Sequence, residues 1–179
     1  DKTSLIEDLV TSSHAVTLFT RPRRFGKTLA MRMLESFFSI EKNSKELFDG
    51  LNISKNKELC DIYMNQYPTV FLTLKDVYGK NFEEAFNKLK SKISNSYKEF
   101  SFLSSSLNLE KKELELFNRI KSGTATDLEV LDSLTTLIYL LYLYYNKPVI
   151  LLLDEYDVPL QAAYTNDYYE KGIAFYKMF

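Results

Sequence analysis

The chain has 179 residues, enough for one domain with a sizeable core, and 45% of them are hydrophobic. Its 23 basic and 24 acidic side chains leave a net charge of −1, which argues against a broad nucleic-acid surface because such a surface needs a basic excess. The single cysteine, Cys60, excludes an internal disulfide and fits a reducing compartment, so we expect a cytoplasmic protein.

The first part of the chain predicts a helix, a strand and a second helix. Residues 3–10 place their apolar side chains on one helical face behind a threonine or serine cap. Residues 15–19 are a compact apolar run bounded by polar residues, which favours a strand. Helical spacing returns over residues 27–40, and residues 41–67 indicate only short helical pieces and loops.

Strands and helices continue to alternate in the middle of the chain. Residues 69–74 predict a second strand, and residues 82–97 repeat apolar side chains at helical spacing. The serine run at residues 101–106 indicates a loop or an irregular turn. Residues 109–120 predict another helix, which Gly123 ends.

The last part of the chain completes this alternation. Thr126 and Glu129 match a capping box that opens a helix to about residue 145. Residues 149–153, apolar at every position, predict a third strand covered on both faces, and residues 168–179 read as a helix. No apolar run approaches the ~20 residues of a membrane span. The sequence therefore predicts an α/β fold in three layers with a mainly parallel sheet.

A phosphate-binding pattern lies between the first predicted strand and the helix after it. Residues 21–28 read R-P-R-R-F-G-K-T, and the pattern G-x-x-x-x-G-K-[ST] is met by Gly26, Lys27 and Thr28. Such a loop holds phosphates with backbone N–H groups and the positive end of the helix, so the arginine at the first-glycine position does not prevent binding. Lys27 can reach the β- and γ-phosphates, which makes it a candidate catalytic residue, and Thr28 offers a hydroxyl to Mg²⁺.

The rest of this loop supplies further candidate nucleotide contacts, Arg23, Arg24 and Phe25. Either arginine can touch a phosphate, and a solvated loop arginine is an equally good interpretation of each. A chance G-K-T match is the alternative for the whole loop, but an apolar strand before it and an amphipathic helix after it are what the pattern requires.

Acidic residues follow the third predicted strand, at positions 154–157 (D-E-Y-D). Because α/β sheets bind ligands at the carboxyl ends of their strands, we assign Asp154 to Mg²⁺ and Glu155 to the attacking water. Asp157 either holds a loop arginine such as Arg24 or caps a turn, and we favour the structural role.

These motifs resemble those of a known family, the predicted AAA-ATPase-like family of bacteria and archaea. The resemblance covers nearly the whole chain and rests on three segments, T-R-P-R-R-F-G-K-T at residues 20–28, D-E-Y-D at residues 154–157 and D-K-T-S-L-I at residues 1–6. It implies a P-loop NTPase of the ASCE class, related to the archaeal-type ATPases. In that family an arginine at the first-glycine position is usual. The resemblance makes Lys27 and Thr28 Walker A residues and Asp154 and Glu155 Walker B residues.

We expect residues 1–179 to be the N-terminal portion of a longer protein. In ASCE folds, the strand after Walker B lies between the Walker A and Walker B strands and carries a polar sensor residue. The sequence stops at Phe179, within the last predicted helix, so that strand, an arginine finger and the lid are expected to be missing. Members of the family often continue into a nuclease-like domain, whose motif this sequence does not contain.

The function expected from these motifs is that of an ATP-binding domain that hydrolyses ATP with Mg²⁺ to drive conformational change in a larger protein. The alternative is a nucleotide-gated switch with little or no hydrolysis. Glu155 favours hydrolysis, and the missing sensor and arginine finger favour the switch. A nucleic-acid domain using the loop arginines is disfavoured by the near-neutral charge. The expected partners are the nucleotide and the C-terminal domains of the same protein, with a homo-oligomer as an open alternative and no membrane.

Overall fold

The computed structural model describes residues 1–12, 14–20 and 25–176, which form helices and two strands. In chain order the elements are α1 (Ser4–Thr11), α2 (Lys27–Phe38), α3 (Lys45–Phe48), a 3₁₀ helix (Asn52–Lys55), α4 (Lys57–Tyr63), β1 (Thr69–Thr73), α5 (Phe82–Glu99), α6 (Leu103–Ser106), α7 (Lys111–Ser122), α8 (Asp127–Leu131), α9 (Ser133–Tyr145), β2 (Ile150–Asp154), α10 (Val158–Thr165) and α11 (Tyr169–Tyr176).

The chain divides into two compact units. The first contains Asp1–Phe71 and Pro148–Leu152, and the second contains Leu72–Lys147 and the described residues from Leu153 onward.

The two strands pair directly in a parallel sheet. The Ile150 N–H donates to the Pro68 carbonyl at 2.9 Å, and at the other end the Leu74 N–H donates to the Asp154 carbonyl, also at 2.9 Å. Both strands therefore run in the same direction, and a parallel pair needs a long crossover, which the helices α5 to α9 supply. The prediction of an α/β fold with parallel strands agrees with this pairing.

The core of the first unit forms around α2. Buried Leu34 and Phe37 of this helix pack with Ile6 of α1 and with Phe48 of α3. The Phe37 and Phe48 rings meet edge to face, with their centroids 5.2 Å apart. Because each large apolar side chain contributes about 1.5–3 kcal/mol on burial, this packing holds α2, and with it the residues at its N-terminus.

The strand predicted over residues 15–19 is wrong. These residues form neither helix nor strand, and Val16 and Leu18 are 86% and 63% exposed, while Phe19 packs on the first unit's core. A strand is stable only when a neighbour accepts its backbone hydrogen bonds, and among the described residues the only strands are β1 and β2, which pair with each other. Composition suited residues 15–19 to a strand, but pairing decides whether one forms.

The core of the second unit centres on Tyr97, which is fully buried. Its ring lies 4.8 Å from the ring of Phe117 in α7, centroid to centroid. Its hydroxyl donates to the Ser133 carbonyl at 2.7 Å, which joins α5 to the start of α9. One aromatic side chain thus links three helices by packing and by a buried hydrogen bond.

Two further predictions for this unit need correction. The serine run is not only a loop, because α6 forms a single turn there, anchored by fully buried Leu103. The helix predicted from the Thr126 capping box to about residue 145 is two helices that meet at Asp132. The Ser133 hydroxyl donates to the Val130 carbonyl at 2.6 Å, a local bond that competes with continuous helical bonding.

None of the helices formed by the described residues combines the length and apolarity that crossing a bilayer requires.

Candidate functional site

The predicted phosphate loop ends at the N-terminus of α2. Gly26 occupies the position before the helix in the left-handed conformation, with φ 74° and ψ 28°, and its carbonyl accepts the first helical bond from the Ala30 N–H at 2.9 Å. Left-handed backbone costs a residue with a side chain about 1–2 kcal/mol, so this position favours glycine. The left-handed conformation at position 26 thus explains why the G-K-T motif has a glycine there.

Lys27 and Thr28 are the first two residues of α2. Lys27 is half-buried beside a small recess that Phe19 and Ala30 also line, whereas Thr28 is exposed. The first turn of a helix leaves backbone N–H groups without intrahelical acceptors, and the helix dipole is positive there. This end of α2 therefore suits an anion.

The remaining loop residues are only partly covered by the structure. Phe25 is described and is 65% exposed. The candidate contacts Arg23 and Arg24, like the arginine at the first-glycine position, lie outside the described residues.

Asp154 is the last residue of β2, in the second unit, and is only 1% exposed. Its Oδ1 atom is buried and has no hydrogen-bond partner among the described residues. Buried polar atoms are nearly always paired, so an unpaired carboxylate oxygen calls for a bound ion or donor. Mg²⁺ is a hard cation that prefers oxygen ligands and in phosphate sites often uses only one or two carboxylates, so Asp154 fits it.

Glu155 follows Asp154 in an unusual backbone conformation. Its φ is +53°, in the left-handed region, and its carbonyl accepts from the Val158 N–H at 3.1 Å in the turn that leads into α10. A residue other than glycine held there costs of order 1–3 kcal/mol, and such strain concentrates at functional sites. The side chain is half-buried. The turn thus holds the Glu155 backbone in a strained conformation.

Asp157 lies at the N-cap position of α10. Its Oδ2 atom accepts a hydrogen bond from Gln161 Nε2 at 2.8 Å, one turn along the helix. The Asp157 side chain forms no capping hydrogen bond to α10, so the structural role that we favour for it stays a prediction. The alternative partner, Arg24, lies outside the described residues.

The model of the predicted AAA-ATPase family matches residues 1–179. The chain belongs to this family. No curated protein and no solved structure matches it significantly.

Membership of the predicted AAA-ATPase family implies a nucleotide-binding role, with ATP and usually Mg²⁺. The motif residues Gly26, Lys27 and Thr28 are gathered at one helix end, and Asp154 and Glu155 are gathered at one strand end. Sequence reasoning named all five.

Two properties of the acidic strand end escaped the sequence reasoning. The left-handed backbone of Glu155 was missed, because glutamate is not a residue type that signals such a conformation. The unpaired Oδ1 atom of Asp154 was missed because the absence of a hydrogen-bond partner depends on which groups the fold places around this atom. No signal in the sequence pointed to either one.

Proposed function

We propose that this chain binds ATP and hydrolyses it with Mg²⁺ to drive conformational change in a larger protein, of which residues 1–179 form the N-terminal P-loop domain. The observation that carries the proposal is the buried, unpartnered carboxylate oxygen of Asp154 at the end of a parallel strand, in a member of the predicted AAA-ATPase family. The three-layer P-loop architecture is part of this proposal.

The phosphate-binding role belongs to the start of α2. Gly26 permits close approach of the backbone, the first N–H groups of the helix receive phosphate oxygens, and Lys27 adds a point charge toward the β- and γ-phosphates. Arg23, Arg24 and Phe25 are assigned as additional nucleotide contacts. What supports these roles is the helix end itself, which carries partial positive charge.

We assign Asp154 to Mg²⁺, and the G-K-T motif assigns the Thr28 hydroxyl to Mg²⁺ as well. Mg²⁺ held there would supply positive charge that offsets the negative charge of the phosphate chain during phosphoryl transfer. Asp154 is suited to this task because its carboxylate oxygen is already removed from water and from every described donor.

Glu155 is assigned to the attacking water, whose proton its carboxylate can accept. Phosphoryl transfer depends on positioning and charge stabilisation, so a carboxylate on a rigid turn is more effective than one on a mobile loop. The left-handed backbone of Glu155 and the turn bond to Val158 supply that rigidity.

Two substitutions test the proposal together. Lys27→Ala should weaken Mg²⁺–ATP binding by about 10–100-fold in calorimetry, since a charge-assisted hydrogen bond contributes about 1.5–3 kcal/mol. Glu155→Gln should retain ATP but slow single-turnover hydrolysis by ~100-fold or more, as expected for a positioned acid–base group. Lys45→Ala and Glu170→Gln, changes of the same kind at exposed positions, are the matched controls and should behave as wild type.

The outcomes separate the two functions. Unchanged ATP affinity in Lys27→Ala contradicts the phosphate-loop assignment. Wild-type turnover in Glu155→Gln contradicts the role of Glu155. A wild-type protein, in its full-length form, that binds ATP without turning it over supports the nucleotide-gated switch instead.

A further inference from the structure

A second lysine lies beside the phosphate loop. A Cβ atom built on Gly26 would stand only 3.3 Å from the Nζ atom of Lys2. Since Cβ is one bond from Cα, the Lys2 ammonium group lies directly over the backbone of Gly26, immediately before the first residue of α2. Both residues belong to the first unit.

The backbone on both sides of Lys2 is held by side-chain hydrogen bonds. Asp1 Oδ1 accepts from the N–H and the hydroxyl of Thr3, each at 2.8 Å, and Asp1 Oδ2 accepts from the Asn52 N–H. Buried Thr3 in turn accepts from the Ile53 N–H at 3.1 Å through its hydroxyl oxygen. The flanking residues are therefore tied to the 3₁₀ helix, and the chain at Lys2 is directed toward the loop.

The charge distribution around Lys2 favours an anion. Lys2 is exposed, and among the described residues no carboxylate forms an ion pair with its ammonium group. The positive end of the α2 dipole has the same sign as the Lys2 ammonium group, so both attract a negatively charged ligand beside Gly26.

We propose that Lys2 is a second phosphate-binding lysine, whose ammonium group donates to the phosphate chain of the bound nucleotide beside Gly26. The inference rests on the proposed function, because it concerns the same nucleotide. In this proposal the three residues of the opening D-K-T segment have different roles. Asp1 and Thr3 fix the backbone, and Lys2 binds the ligand.

The test compares Lys2→Met, Lys2→Arg and a matched control, Lys45→Met. Methionine keeps an unbranched apolar stem but removes the charge, and exposed Lys45 carries no proposed role. ATP affinity with Mg²⁺ is measured by calorimetry, tripolyphosphate affinity by competition against a fluorescent ATP analogue, and the melting temperature on each protein without ligand.

We expect Lys2→Met to lose about 10–100-fold in affinity for both ATP and tripolyphosphate, the loss of one charge-assisted hydrogen bond. Lys2→Arg should recover most of that affinity, Lys45→Met should match wild type, and the ligand-free melting temperatures should agree. A purely structural Lys2 would lower the melting temperature and would not single out the phosphate chain.

Wild-type affinity in Lys2→Met would overturn the inference while leaving the proposed function intact, provided that Lys27→Ala still loses ATP. A loss of affinity accompanied by an equal loss of thermal stability overturns it as well. A wild-type chain that binds neither ATP nor tripolyphosphate refutes the proposed function and this inference with it.

Discussion

Replacing Asp154 by asparagine should stabilise the ligand-free protein while removing its response to Mg²⁺. The substitution keeps the shape of a side chain that is 1% exposed and removes the charge from a carboxylate whose Oδ1 atom has no described partner. An unsatisfied buried polar group costs about 1–3 kcal/mol, and a charged one costs more. Asparagine is still a buried polar group but carries no charge, so the variant should gain about 1 kcal/mol in free energy of unfolding.

The assay is thermal unfolding with and without ligand. For a chain of this size, each kcal/mol raises the melting temperature by about 2–4 °C, so the ligand-free variant should melt higher than wild type by about that amount. Adding Mg²⁺–ATP at about 100 times Kd should stabilise wild type by about 2.7 kcal/mol. The difference between ATP with Mg²⁺ and ATP with a chelator should be large in wild type and small in Asp154→Asn.

The control is Asp49→Asn, the same substitution at an exposed position. Its stability should stay within about 0.5 kcal/mol of wild type. A lower melting temperature for ligand-free Asp154→Asn would refute the reasoning. It would show that the Asp154 carboxylate stabilises the ligand-free fold, whereas a carboxylate without a partner should destabilise it. An unchanged Mg²⁺ response would refute the metal assignment.

Three further predictions concern stability away from this site. Burial opposes ionisation of Glu35, but hydrogen bonds and charges from Lys42 and Arg32 outweigh it, and the net effect lowers the pKa of Glu35 below its ordinary value of 4.5. A lowered carboxyl pKa stabilises the fold above the unfolded-state pKa, and this contribution is lost as the pH falls through the folded-state value, so acid titration followed by circular dichroism should destabilise wild type more than Glu35→Gln. Tyr97→Phe should lower the free energy of unfolding by about 0.5–1.5 kcal/mol in urea titration, since it removes the hydrogen bond to the Ser133 carbonyl. Burial also raises the pKa of the Tyr97 phenol, so the unfolded state ionises first and wild type should lose more stability than Tyr97→Phe as the pH rises above 10.

Local signals in the sequence predicted most helices correctly. The amphipathic spacing of α2 and α5 was confirmed, with ends that differ by only a few residues. Gly123 does end α7 in the left-handed conformation, at φ 80°, and the Thr126–Glu129 capping box is formed with both of its hydrogen bonds. These features succeed as predictors because their interactions reach only three or four residues along the chain.

Features that depend on distant partners were not predictable in the same way. Residues 15–19 have the composition of a strand, yet no described strand pairs with them. Leu103 turns part of the serine run into a helix because the surrounding fold buries its side chain. Pairing and burial are decided by what the rest of the chain places nearby, which residue patterns do not encode locally.

The candidate site likewise has features that the sequence predicts and features that depend on the folded structure. The sequence by itself determined which residue types are present for the chemistry, with Lys27 after a glycine at a helix start and Asp154 and Glu155 after an apolar strand. Only the tertiary structure decided that Asp154 is left with an orphaned oxygen, that Glu155 sits in a strained turn, and that Lys2 reaches Gly26. The physical reason is that a motif specifies groups along the chain, whereas desolvation, strain and the approach of one segment to another arise only when the folded chain excludes water and brings distant segments together.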